Sequence, residues 1–195
     1  MKIGVILLFI ITLFLIITSL MKIRRLMKIR EGFVEYQPNI WNEPMVKNSH
    51  NCYSYFLNDI ESNRVEECRK KKGKNCGQRG FTTNKEDGDT ECELIKHAVI
   101  RENPDIYVIN KNDKCKPNYY KGAVFSGNSK NKEKSPTYHF IRQDSNGWSH
   151  KNATDNITKL DAKGNIILNP EEANFNYSQV DYHTFCNYFC IPEKK

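Results

Sequence analysis

The chain opens on 19 consecutive uncharged and mostly apolar residues, Ile3 to Met21. A helix of that length, rising about 1.5 Å per residue, nearly spans the ~30 Å hydrocarbon core of a bilayer. The run is longer than the apolar part of a cleaved signal, roughly 7–15 residues, and basic residues follow it directly. It therefore predicts a single transmembrane helix over residues 1–21. Residues 22–49 are basic, then mixed, with Pro38 and Pro44, and predict a juxtamembrane tether.

Beyond residue 50 the pattern is that of a folded domain, 50–195. Ser49 or Asn51 can cap a short helix running through Tyr53 to Asp59. Residues 62–90 are polar and predict a long excursion. Leu94, Ile95, Ala98 and Val99 give Glu91–Arg101 a helical spacing. Asp105–Ile109 and Gly122–Phe125 are strand-like. Thr137–Gln143 alternates and is aromatic, Asp144-Ser-Asn-Gly147 carries a turn signal, and Trp148–Lys151 returns as a second strand. A further turn at Asp161–Gly164 precedes Ile166–Leu168, and Tyr182–Ile191 predicts a last strand. Helices first and antiparallel strands after make the expected class α+β.

Charge narrows the range of partners. The 195 residues hold 30 Lys plus Arg and 23 Asp plus Glu, a net +7. Six of the basic residues (Lys2, Lys22, Arg24, Arg25, Lys28 and Arg30) lie in the first 30 positions, which hold no acid. Removing them leaves 24 bases against 23 acids. A body so close to neutral lacks the clustered basic excess of a phosphate-tracking groove, so no nucleic-acid partner is expected. Arg69–Lys74 reads as a solvated loop. Basic residues concentrated after the apolar run place the body on the cytosolic side of a membrane, by the positive-inside rule. Three glycosylation sequons, at Asn152, Asn156 and Asn176, are about as many as 22 Asn and 19 Ser or Thr give by chance. Seven cysteines, in contrast, suit an oxidising compartment and leave at least one unpaired.

The candidate chemistry rests on one cysteine and two histidines. Cys52 falls at the predicted helix N-terminus, where free N–H groups and the helix dipole favour the thiolate, the attacking form of cysteine. Such a nucleophile needs a base, and the base needs an orienting group. With a turn at 144–147, Gln143 faces Trp148 and Ile141 faces His150. His139 and His150 then become diagonal neighbours on one sheet face, roughly 7–8 Å apart between backbones. An odd-length loop would separate them. Competing uses of these residue types are zinc binding by His183, Cys186 and Cys190, and disulfides among Cys68, Cys76, Cys92 and Cys115, whose pairing sequence does not give. His50 reads as a capping or surface residue and His97 as a surface residue.

Cysteine opening a helix, then histidine on a later strand, then a second histidine on the next, resembles the NlpC/P60 group of papain-like cysteine hydrolases. The blocks His50-Asn-Cys-Tyr-Ser-Tyr55 and Tyr138–Lys151 also resemble an uncharacterised set of bacterial and large-DNA-virus proteins. The likeness covers most of residues 50–192. It implies a papain-like core with Cys52 as nucleophile, His139 as base and His150 as orienting residue, and a peptide or amide substrate. Glycines usual after the first histidine of that group are replaced here by Phe140-Ile-Arg142. No cofactor and no metal are implied. The alternative expectation is a catalytically idle structural protein of a virion or surface, stabilised by disulfides with Cys52 oxidised.

Overall fold

In a computed structural model the protein is described over residues 12–19, 21, 32–130 and 136–194. Five short helices precede or flank one sheet: α1 (Pro38–Trp41), α2 (Pro44–Ser49), α3 (Cys52–Phe56), α4 (Ser62–Lys70) and α5 (Glu91–Glu102). The strands are β1 (Tyr107–Ile109), β2 (Tyr119–Ser129), β3 (Pro136–Asp144), β4 (Gly147–Lys151), β5 (Ile157–Thr158) and β6 (Val180–Pro192). They form a six-stranded sheet in the order β1-β6-β2-β3-β4-β5, every pairing antiparallel. The class is α+β, with one antiparallel sheet.

Strand alternation divides the core into two layers. Tyr120, Val124, Phe140, Phe189 and Ile191 bury one face against Tyr53 and Phe56 of α3 and Ile95 and Val99 of α5. The α5 stripe is the one its spacing predicts. Ala123, Phe125, Ile141, Trp148 and Tyr188 bury the other face under an irregular segment that contributes Ile167 and Phe175. α3 lies so close to β2 that a Cβ at Gly122 would stand 2.3 Å from the Phe56 ring. Gly147 closes the β3–β4 turn at φ +129°, a conformation open to glycine.

Several stretches differ from the sequence expectation. Residues 32–49 are no simple tether: Trp41 is fully buried, edge-on to Tyr55 at 4.9 Å, and the Glu43 carboxylate caps α2 by accepting from the Met45 and Val46 N–H groups. Two prolines that read as linker residues instead occupy the first turns of α1 and α2, where a missing N–H costs nothing. The polar excursion contains α4, closed on itself by the Cys68–Cys76 disulfide. Ile166–Leu168 forms only one isolated bridge, from Ile166 to Leu160.

The expected membrane anchor and cytosolic body are both corrected. Among the described residues no helix is long and apolar enough to cross a membrane. Much of the expected anchor falls outside the described residues, which omit 1–11, 20 and 22–31. Three disulfides, Cys68–Cys76, Cys92–Cys186 and Cys115–Cys190, argue for an oxidising, non-cytosolic location, because reducing compartments keep such thiols apart.

Candidate active site

Cys52 is placed by its helix start. Asn51 is the residue that caps α3: its Oδ1 accepts from the N–H groups of Tyr53 and Ser54 at 3.1 and 3.2 Å. Tyr53 and Phe56 then seat the helix on Phe140 of β3, each with ring centroids 4.9 Å away. The other six cysteines are paired, so Cys52 is the free thiol. The backbone N–H groups of Phe140 and Tyr53 lie close enough to its sulfur to favour the thiolate. Phe140 directly follows His139, so the N–H near the sulfur belongs to the residue next to the histidine, although the Phe140 and His139 side chains leave β3 on opposite faces.

The helix-dipole expectation for this thiol does not hold. Cys52 is 6% exposed, and burial pushes its pKa up to about 11 against the lowering pull of the Phe140 and Tyr53 N–H groups and the Lys151 ammonium. A helix of five residues has too little dipole to offset the loss of water. The resting group is the thiol.

The two histidines meet as the turn arithmetic requires. Ile141 pairs with His150 and Gln143 with Trp148. The imidazoles are both buried, with His139 Nε2 3.0 Å from His150 Nδ1. His150 Nε2 lies 2.9 Å from the carbonyl oxygen of Leu160. A carbonyl only accepts, so His150 carries its proton on Nε2 and presents Nδ1 as a lone pair. His139 must then donate from Nε2, which leaves its own Nδ1 without a proton. That nitrogen is buried and has no hydrogen-bond partner among the described residues. Burial, and then the neighbouring His150, hold His139 well below the ordinary histidine range, and burial also lowers His150. Both rings are neutral at physiological pH, and one chain of hydrogen bonds fixes both tautomers.

Aromatic rings wall in the pair. Tyr182 stacks on His139 at 4.8 Å and 21° between planes, and Phe175 approaches both imidazoles at 5.3 and 5.4 Å. On the opposite face of β4, Lys151 is fully buried and donates to the carbonyl oxygens of Lys47, Ala153 and Asp155 at 2.6–2.9 Å. Burial lowers its pKa to about 8. Neither residue carries a sequence signal for this role. Lysine is rare inside, and Tyr182 reads as one more aromatic of a last strand. The Leu160 carbonyl is backbone and has no signature at all.

The remaining candidates fall elsewhere. His50 is fully buried rather than on the surface, and it is the C-cap of α2, its backbone N–H donating to the Val46 carbonyl; its Nδ1 faces Ser49 Oγ at 2.8 Å and its Nε2 accepts the Glu61 N–H at 2.9 Å. Cys186 and Cys190, two of the three ligands considered for zinc, are consumed by disulfides to Cys92 and Cys115. His97 is exposed on α5. Trp148 packs against Tyr188 inside the second core layer. Compared with protein-family models, curated proteins and solved structures, the chain matches none.

Proposed function

We propose that the protein is a thiol hydrolase of the papain-like kind, cleaving a peptide or other amide. Cys52 is its nucleophile, His139 its general base and His150 the residue that orients the base. One observation carries this reading: the hydrogen-bond chain from Leu160 through His150 leaves a bare, buried lone pair on His139, the residue that precedes the Phe140 N–H near the sole free thiol. A buried acceptor without a partner costs about 1–3 kcal/mol, and an orphaned base beside a nucleophile is where such a cost has a use.

The protonation states make the pair neutral at rest. As the sulfur bonds to the amide carbonyl carbon, the thiol proton passes to His139 Nδ1, and His150 Nδ1 accepts from the imidazolium so formed. The C–N bond then breaks, the proton leaves with the amine, and water releases the acyl group from sulfur. Backbone N–H groups around Cys52 are the donors nearest a developing oxyanion.

A thiol-directed electrophile tests this directly, because every other cysteine is bridged. Cys52 should be alkylated at a rate that is flat across neutral pH and climbs only as pH approaches 11, when the thiol ionises unaided. His139→Ala should lower the neutral-pH rate by roughly 10²-fold and convert the profile to a steady rise with pH. A wild-type profile that already rises steadily from pH 7 would refute the base assignment.

A second reading is a catalytically idle structural protein. The observation in its favour is the 6% exposure of Cys52, with no hydrogen bond joining the thiol to His139. In that case His139→Ala leaves the alkylation rate unchanged.

A further inference from the structure

We propose that the cleft beside His139 is the side-chain subsite of the substrate and selects a cationic group, a primary ammonium or guanidinium, on the amide to be cleaved. This rests on the Cys52–His139 reading above and adds the chemical class of substrate to it.

The cleft adjoins the histidine pair through one shared ring, that of Tyr182. It has a volume of about 670 Å³, within the ~300–1,000 Å³ of small-molecule sites. Tyr182 forms part of its wall and is the ring stacked on His139. Thr137 and Asn152, which also line it, stand two residues from His139 on β3 and from His150 on β4. The Tyr182 hydroxyl also lies within electrostatic reach of Cys52. A substrate whose scissile carbonyl meets the thiol would have the Tyr182 wall of this cleft within reach of its neighbouring side chain.

The lining sets the chemistry. Neutral hydroxyl and amide groups predominate, and Asp155 is the one carboxylate among the described lining residues. Tyr177 and Tyr182 add two aromatic rings, edge to face at 6.4 Å. The Asp155 charge reaches the Tyr177 ring, where it opposes phenol ionisation. Aromatic faces beside a carboxylate attract a cation. An anion would meet Asp155 with no lining cation to offset it. The two lysines nearest the cleft are otherwise engaged. Lys130 Nζ donates to Asn176 Oδ1 and to the Tyr177 carbonyl, and Lys151 Nζ to three carbonyls behind the wall.

The full chain, disulfides intact, can be reacted with three peptidyl vinyl sulfones that differ only in a lysine, norleucine or glutamate side chain, reading Cys52 adduct formation by mass spectrometry. The lysine probe should react at least about 10-fold faster than norleucine, with glutamate slowest, and Asp155→Asn should bring the lysine-to-norleucine ratio towards one. Equal rates for all three probes would overturn the cationic subsite and leave Cys52 as a nucleophile. Absence of any adduct removes the nucleophile reading. Calorimetry with a lysine and a norleucine peptide amide then decides the subsite alone, and equal affinities, or a lysine preference that survives Asp155→Asn, overturn it.

Discussion

Two buried polar clusters lie on opposite faces of the hairpin β3–β4, the first of them binding it to α3, and they are completed to different degrees. Around Arg142, fully buried on the α3 face, every group is matched. Its guanidinium donates to Asp144, to Asn58 and to the carbonyls of Tyr55 and Glu35, and stacks over the Tyr55 ring at 3.8 Å. Ser149 then links Asp144 to the Tyr55 hydroxyl. On the other face, the cluster of His139 and His150 ends in an open Nδ1. The first cluster is spent on holding the helix and strands in register. The second keeps one acceptor unmatched, which lowers stability and, in the reading proposed above, is the base that serves the thiol. Buried polar networks are expected to be satisfied throughout, and among the described residues Trp41 Nε1, Ser54 Oγ and His139 Nδ1 depart from this, the last being the titratable one.

The largest effect should come from breaking the completed cluster. Arg142→Ala strands the Asp144 carboxylate, whose pKa burial already raises, together with two backbone carbonyls. Removing one partner of a buried ion pair costs about 3–5 kcal/mol. Denaturant unfolding should show a loss of that order, and a loss under about 1 kcal/mol would mean that water replaces the guanidinium.

Next in size is a pair of histidine replacements. His50→Phe removes the acceptor of the Glu61 N–H and the partner of Ser49 and should cost about 1–3 kcal/mol. His139→Phe removes the orphaned Nδ1 but strands the buried His150 Nδ1 it donated to, one unmet acceptor exchanged for another, so its cost should be no more than that of the lost hydrogen bond, about 0.5–1.5 kcal/mol. A loss at His139 larger than that at His50, measured by the same unfolding titration, would show that the His139 ring is the better satisfied of the two.

The smallest effect is a pH dependence. His50, His139 and His150 all have lowered pKa values, with burial as the leading cause. In the unfolded chain they take up protons as pH drops through about 6.5, while the folded protein does not. Their contribution is therefore complete above pH 6.5 and is lost as pH falls from there towards the folded values. Stability measured from pH 7.5 to 5 should decline in wild type and decline less in His139→Phe. A flat wild-type curve over that window would place the imidazoles in water.

The parts of this contrast that were legible in sequence are those with a local cause. The Asn51 cap, the α5 stripe and the two-histidine register follow from side-chain type, period and turn length, each acting over a few residues. Arg142 was not legible. An arginine in an alternating strand reads as solvent-facing, and only the convergence of residues as distant as Glu35 and Tyr55 makes it internal. The helices over 38–49 were hidden for a related reason. Their prolines read as linker signals, and the burial of Trp41 that holds them depends on Tyr55. The thiol's acidity was misjudged because the N-terminal position is local, whereas the burial that outweighs it is not.

That acidity has a consequence for how the molecule is made. Six cysteines must find three partners while a seventh remains free, and a reactive seventh would attack bridges already closed. With a pKa of about 11, only about one Cys52 in 10⁴ is thiolate at pH 7, and thiolate is the species that shuffles disulfides. Once α3 has docked on β3, the odd cysteine is withdrawn from exchange, and the pairing of the others is left to stand.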